Sequence, residues 1–145
     1  MFYLDTSAML KLLWTEPESD AVRQHVARED LVVVSALAEL ETEVQLTAAW
    51  LAGRYREAAW RRLLAKLAEF RGTEPFAFRS LPATLFETAR RRQRASGRVH
   101  CRTLDRLHLA AMEELDVSRL VTHDATQAQA ARALGFEVLM PGRAG

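Results

Sequence analysis

Four acids in this chain of 145 residues, Asp5, Glu41, Asp105 and Asp124, have the types and positions to act together. Asp5 closes the apolar segment Phe2-Tyr3-Leu4, and Asp124 follows closely on Leu120-Val121. Carboxylates gathered without matching cations repel one another, and each resists ionisation until a cation joins them. Hard divalent ions take oxygen ligands, so Mg²⁺, with Mn²⁺ as the alternative, is the expected occupant. Such an ion can activate a bound water and offset developing negative charge. Each acid also has a plainer role, because acids near helix starts cap the backbone and complement the helix dipole. The constellation, more than any single member, speaks for chemistry.

The elements that position these acids follow from the pattern of the chain. Phe2 to Asp5, Leu31 to Val34, Phe76 to Leu81, Arg119 to Thr122 and Phe136 to Leu139 read as strands. Leu31 to Val34 is apolar without alternation, as in a strand buried on both faces of a parallel sheet. Between them lie helices: Ala8 to Trp14, Pro17 to about Glu29, Ser35 to near Gly53, Arg54 to about Arg71, Pro82 to about Ser96, Thr103 to Leu115, and Asp124 to Gly135. Strands alternating with helices predict an α/β domain, a mainly parallel central sheet flanked by helices. One domain over residues 1–140 is expected, with 141–145 a loose tail. In such sheets functional groups gather beyond the carboxyl ends of the strands, where Asp5, Glu41 and Asp124 fall.

Helix geometry separates Glu41 from its neighbours. Leu37, Leu40, Val44, Ala48 and Leu51 recur at helical spacing and predict the buried stripe. Glu41 lies roughly 60° from its centre, Glu43 about 100° and Glu39 about 140°. Glu41 alone borders the predicted core, and Glu39 and Glu43 read as solvated. Asp105 similarly edges a stripe of Leu104, Leu107, His108, Ala111 and Leu115.

The four segments resemble the motifs of PIN-domain nucleases. Tyr3-Leu4-Asp5-Thr6-Ser7-Ala8 is similar to the opening motif, and Ser35-Ala36-Leu37 with Glu41 to the second. Thr103-Leu104-Asp105-Arg106-Leu107-His108-Leu109-Ala110 resembles the third, and Leu120-Val121-Thr122-His123-Asp124 the fourth. Ala131 to Val138, with Gly135, also fits. A single small PIN domain looks most like the VapC toxins of toxin–antitoxin pairs. The resemblance implies a compact α/β sandwich, a magnesium-dependent endoribonuclease, a VapB-type antitoxin as partner and a homodimer. Carried over by position, Asp5, Glu41, Asp105 and Asp124 are the metal-site acids, and Thr6 and Thr122 supporting hydroxyls. Products with 5′-phosphate and 3′-hydroxyl ends are implied. Nothing acidic closely follows Asp124, whereas some relatives add an acid there, so the number of metals stays open.

Bulk properties narrow the setting. The net charge is only +1, so any attraction for phosphates must be local. Arg90, Arg91, Arg92, Arg94, Arg98, Arg102 and Arg106 supply such a region, with Arg98, Arg102 and Arg106 nearest Asp105 as candidate RNA contacts. Cys101 is the single cysteine, the opening Met-Phe-Tyr-Leu-Asp lacks the layout of a secretory signal, and no apolar run could span a bilayer. A reducing, cytoplasmic setting is therefore expected. His108 reads as a hydrogen-bonded core histidine. His25, His100 and His123 lack metal-ligand spacing. Trp50 and Trp60 flank the Gly53 turn, where a helix of the antitoxin could dock. Other readings remain open: a phosphatase with Asp5 as nucleophile, a structure-specific DNA nuclease, or an inactive binding module on a PIN fold. Ser7 stands where an aspartyl phosphatase would carry a second Asp.

Overall fold

The computed structural model describes residues 1–95 and 97–142. Runs of Val, Phe, Tyr and Leu form the five strands β1 (Phe2–Leu4), β2 (Val32–Ser35), β3 (Phe76–Arg79), β4 (Arg119–Val121) and β5 (Glu137–Leu139). They make one sheet in the order β3-β2-β1-β4-β5, with every pairing parallel. Parallel neighbours need crossovers. These are α1 (Thr6–Leu13) with α2 (Ser19–Val26), α3 (Ala36–Leu51) with α4 (Glu57–Phe70), α5 (Leu85–Ala95) with α6 (Thr103–Glu114), and α7 (Ala125–Ala133).

Side chains alternate across each strand and divide the interior into two cores. Phe2, Leu4, Val32 and Val34 face a core shared with α1 to α4, while Tyr3, Val33 and Leu120 face one shared with α5 to α7. The result is an α/β sandwich with helices on both faces, as expected from the alternation of elements. From β1 the chain winds outward to β2 and β3, then returns beside β1 as β4 and winds the other way. The crevice at that switch point, beyond the carboxyl ends of β1 and β4, is where such sheets bind ligands.

Several expectations need correction. The stripe on α3 faces outward: Leu40, Val44 and Leu51 are 59%, 54% and 73% exposed. The helix seats itself through Ala38, Thr42 and Leu46 instead, on roughly the opposite side. α3 is apolar on two faces, and the choice between them is made by shape: small Ala38 and Thr42 permit close approach to the sheet. Glu39, expected to be solvated, is largely buried and ion-paired with Arg71. On α6, Leu104 is exposed while the buried set runs unbroken from Asp105 to Met112. α2 begins at Ser19 and α5 at Leu85, so Pro17 and Pro82 precede their helices as turn residues. Arg102, not Thr103, caps α6. Ser96 and residues 143–145 of the expected tail lie outside the described residues; Pro141 accepts a hydrogen bond from His123 Nε2 at 2.8 Å.

The α3 correction is testable. Leu46→Ala is expected to lower the unfolding free energy by about 2–5 kcal/mol in urea denaturation. A loss below about 1 kcal/mol would show that α3 is seated on its other face.

Candidate active site

Three of the acids, Asp5, Asp105 and Asp124, are delivered by a strand end or a helix start. Asp5 leaves β1 and caps α1, its Oδ1 accepting from the Ala8 amide at 2.9 Å and from Ser7 Oγ at 2.8 Å. Its Oδ2 accepts from Thr122 Oγ1 at 2.5 Å, which joins the ends of β1 and β4. Thr122 Oγ1 in turn accepts from the Asp124 amide at 3.0 Å. Asp124 caps α7, with Oδ1 accepting from the amides of Thr126 and Gln127 at 2.8 and 3.0 Å. Asp105, in the first turn of α6, accepts from the Arg102 amide at 3.1 Å. The capping role read for these three acids is therefore real, and it coexists with a shared location.

Glu41 is held differently. It lies on the flank of α3, between the face against the domain and the outward stripe. Its Oε2 accepts from Thr6 Oγ1 at 2.6 Å and from His108 Nε2 at 2.7 Å. Behind it, His108 Nδ1 meets Tyr3 Oη at 2.7 Å, and Tyr3 Oη meets Ser35 Oγ at 2.5 Å. Ser35 Oγ accepts from the Ala38 amide, the N-cap of α3, so its own hydroxyl is free to donate. The contacts run unbroken from Ser35 through Tyr3 and both ring nitrogens of His108 to Glu41. His108 is 2% exposed, a hydrogen-bonded core histidine as expected, and its partner is a site acid.

Asp5, Glu41, Asp105 and Asp124 line one cavity of about 180 Å³, together with Thr6, Arg102 and Gln127. Their electrostatics diverge. Burial pushes the Asp5 carboxyl above its usual range, against the opposing hydrogen bonds from Thr122 and Ala8. The hydrogen bond from His108 holds Glu41 below the usual range, outweighing its partial burial, with Thr6 assisting. Arg102 answers the remaining charge, its guanidinium reaching Asp105 Oδ2 at 3.1 Å and Asp124 Oδ2 at 2.9 Å. Among the described residues no three acid, His or Cys side chains draw close enough to form a ready-made metal cluster. The donor set nevertheless fits a hard divalent ion. It is all carboxylate oxygen, one member is buried and ill-disposed to ionise alone, and soft ligands are absent from the cavity lining.

The predicted site residues separate into two groups. The four acids and Thr6 line the cavity, with Thr122 bonded to Asp5 beside it. Arg102 joins them, Arg98 is exposed, and Arg106 is buried, donating to the Val99 carbonyl at 2.9 Å. Tyr3, Ser35 and Gln127 were not anticipated. A Tyr in a strand buried on both faces demands a polar partner, and that signal could have found the Tyr3–His108 contact. Gln127 Nε2 is buried without a hydrogen-bond partner among the described residues; only its place in the first turn after Asp124 hinted at the cavity.

Known proteins resemble this chain along nearly its whole length. The profile of the PIN domain family matches residues 2–133. Ribonuclease VapC46 of Mycobacterium tuberculosis is 36% identical over 141 residues, 96% of each chain. Ribonuclease VapC35 of the same species is 33% identical over 150 residues, 99% of each. Among solved structures, Mycobacterium tuberculosis VapC20, a sarcin-ricin loop cleaving toxin, superposes with a TM-score of 0.71 at 17% identity, covering 97% of this chain and 100% of that one. FitAcB from Neisseria gonorrhoeae gives 0.72 at 15% identity, covering 97% and 98%. At those identities the two structures speak for the fold alone. The match over 2–133, with relatives a third identical from end to end, shows that the chain belongs to the PIN domain family.

Proposed function

We propose that this chain is a magnesium-dependent endoribonuclease, the toxin of a VapB–VapC type toxin–antitoxin pair. The observation that carries the reading is the shared cavity of Asp5, Glu41, Asp105 and Asp124 at the switch point of the sheet. Support comes from relatives named ribonucleases along nearly the whole chain. These four acids would hold Mg²⁺, or Mn²⁺ in its place. A bound ion of this kind supplies an activated water and offsets charge growing on the phosphoryl group.

The chain's own residues do the rest. Thr122 fixes Asp5, and through the Asp124 amide also fixes the start of α7. Thr6 and His108 keep Glu41 ionised with Oε2 engaged, so the carboxylate can orient water. Arg102 is the cation nearest an entering phosphate, Arg98 meets the strand further out, and Arg106 holds their loop through Val99. Cleavage leaves a 5′-phosphate and a 3′-hydroxyl.

Partners follow from surfaces. A VapB-type antitoxin is proposed from the relatives' names. A homodimer is supported by the outward stripe of Leu40, Val44 and Ala48, an apolar face that a second copy would cover. Trp50 and Trp60 stack on each other at 4.3 Å across the α3–α4 turn, so one face of each ring is already taken. No helix among the described residues is long and apolar enough to cross a membrane, and action on RNA in the cytoplasm is proposed.

With end-labelled structured RNAs, the chain should make discrete internal cuts that need Mg²⁺, and Asp5→Asn should cut more than about 100-fold more slowly, beyond an outer-shell effect. Cutting by Asp5→Asn at the wild-type rate would remove Asp5 from the site. Phosphate release from small monoesters, or cutting of DNA alone, would favour the rival chemistries. A second prediction concerns stability. Because folding raises the Asp5 pKa, the folded chain holds that proton more tightly than the unfolded chain. Its contribution to stability therefore declines as pH rises above about 4. In EDTA at pH 7, Asp5→Asn should melt a few degrees higher than wild type, and Mg²⁺ should raise the melting temperature of wild type but not of Asp5→Asn. Third, sedimentation should show a wild-type dimer and a Val44→Glu monomer. A wild-type monomer would overturn the proposed interface.

A further inference from the structure

A second cleft opens beside the acidic cavity, between α5, the segment 97–102 and the start of α6, with a volume of about 450 Å³. Arg102 lines both spaces, so a ligand could pass from one to the other without leaving the surface. We propose that this cleft is a nucleotide subsite that takes the base flanking the scissile bond, stacked against Phe86. The inference rests on the nuclease reading and adds where the strand is gripped beside the cut.

The chemistry of the walls carries it. Phe86, Arg90 and Gln93 all line the cleft at helical spacing, one face of α5. Phe86 is 61% exposed, an aromatic ring left at the mouth of a pocket and not in the core. Arg90 makes no ion pair among the described residues, whereas its neighbours Arg91 and Arg92 are both held by Glu113. None of the lining residues is acidic. A cation without counter-charge such as Arg90 selects an anion, and a flat exposed ring beside it selects a planar group attached to that anion. His100 adds a polar group able to meet a base edge. An acidic peptide would satisfy the arginines but has no general use for the ring. A polynucleotide uses both, and only a chain of phosphodiesters would continue past Arg102 to the acids.

The test uses a fluorescein-labelled pool of ten-nucleotide single-stranded RNAs, binding measured by anisotropy in the full chain carrying Asp5→Asn, where no strand is cut. Adding Phe86→Ala should weaken binding by on the order of tenfold or more, the loss typical of one stacked base. Phe86→Trp should restore it, and melting temperature should not move. Adding Arg90→Ala should reduce the slope of affinity against salt by about one phosphate contact. Unchanged binding with Phe86→Ala would overturn the subsite. A changed oligomeric mass with unchanged RNA binding would also overturn it and assign the face to a protein contact. These readouts do not depend on cutting, so the nuclease reading can fail by absence of wild-type cleavage while the subsite is judged separately.

Discussion

Four carboxylates brought to one edge of a sheet repel one another, and everything around the cavity answers that repulsion. The first answer is the helix N-terminus. Asp5 and Asp124 each turn one oxygen to backbone amides at the start of the following helix, and Asp105 turns one to the Arg102 amide. Such bonds offset negative charge with fixed partial positive charge and leave the carboxylate little rotational freedom. The second answer is Arg102, which spans Asp105 and Asp124 from the open side. The exposed guanidinium is the more weakly held of the two devices, because water and salt screen it. The buried caps set the geometry, and the exposed cation only balances it.

Glu41 shows how the same problem is solved away from a strand end. It is projected from the side of α3, so no cap is available, and its oxygen is held by Thr6 from α1 and His108 from α6. His108 is itself oriented by Tyr3 in β1, and Tyr3 by Ser35 at the end of β2. Residues from both faces of the sheet thus fix one carboxylate. The consequence is chemical asymmetry: Glu41 is held ionised by His108, while burial makes Asp5 resist ionisation. Carboxylates pushed apart in this way are suited to different tasks, one staying ionised, the other resisting charge until a cation is near.

Much of the fold was legible because its signals are local. Val32–Val34 is apolar without alternation because both faces of β2 are covered, and Asp5, Ser35 and Asp124 mark helix starts through their capping chemistry. The seating of α3 was not legible. Its apolar residues cluster on one side, while the side that packs offers Ala38, Thr42 and Leu46, and hydrophobic periodicity has no term for how closely a small residue lets a helix approach. The angular argument for Glu41 chose a residue that reaches the cavity, but from a stripe that faces outward. The place of His108 shows a related limit. Its burial followed from the stripe of α6, whereas its partners Tyr3 and Glu41 lie far off in sequence and meet only once the sheet order is known. The Arg102 contacts were hidden for the same reason, since Asp124 is brought to it by the pairing of β4 with β1.

Charge balance over the whole chain conceals a strong local pattern. Lys and Arg number 20 against 19 Asp and Glu, yet the acids gather at the switch point and seven arginines fall between positions 90 and 106. Four of those seven are committed within the protein: Arg91 and Arg92 to Glu113, Arg102 to Asp105 and Asp124, and Arg106 to Val99. Arg90, Arg94 and Arg98 make no ion pair among the described residues. A polyanion approaching this surface is attracted by that rim and repelled by the acids at its centre. Local fields of this kind, not the net charge, decide where a charged chain lands. Under the proposed function, attraction at the rim would let a strand settle before the centre accepts it, and the centre would accept phosphate only once its own negative charge had been met. On that reading the layout separates holding a strand from acting on it, which a uniformly basic surface would not do.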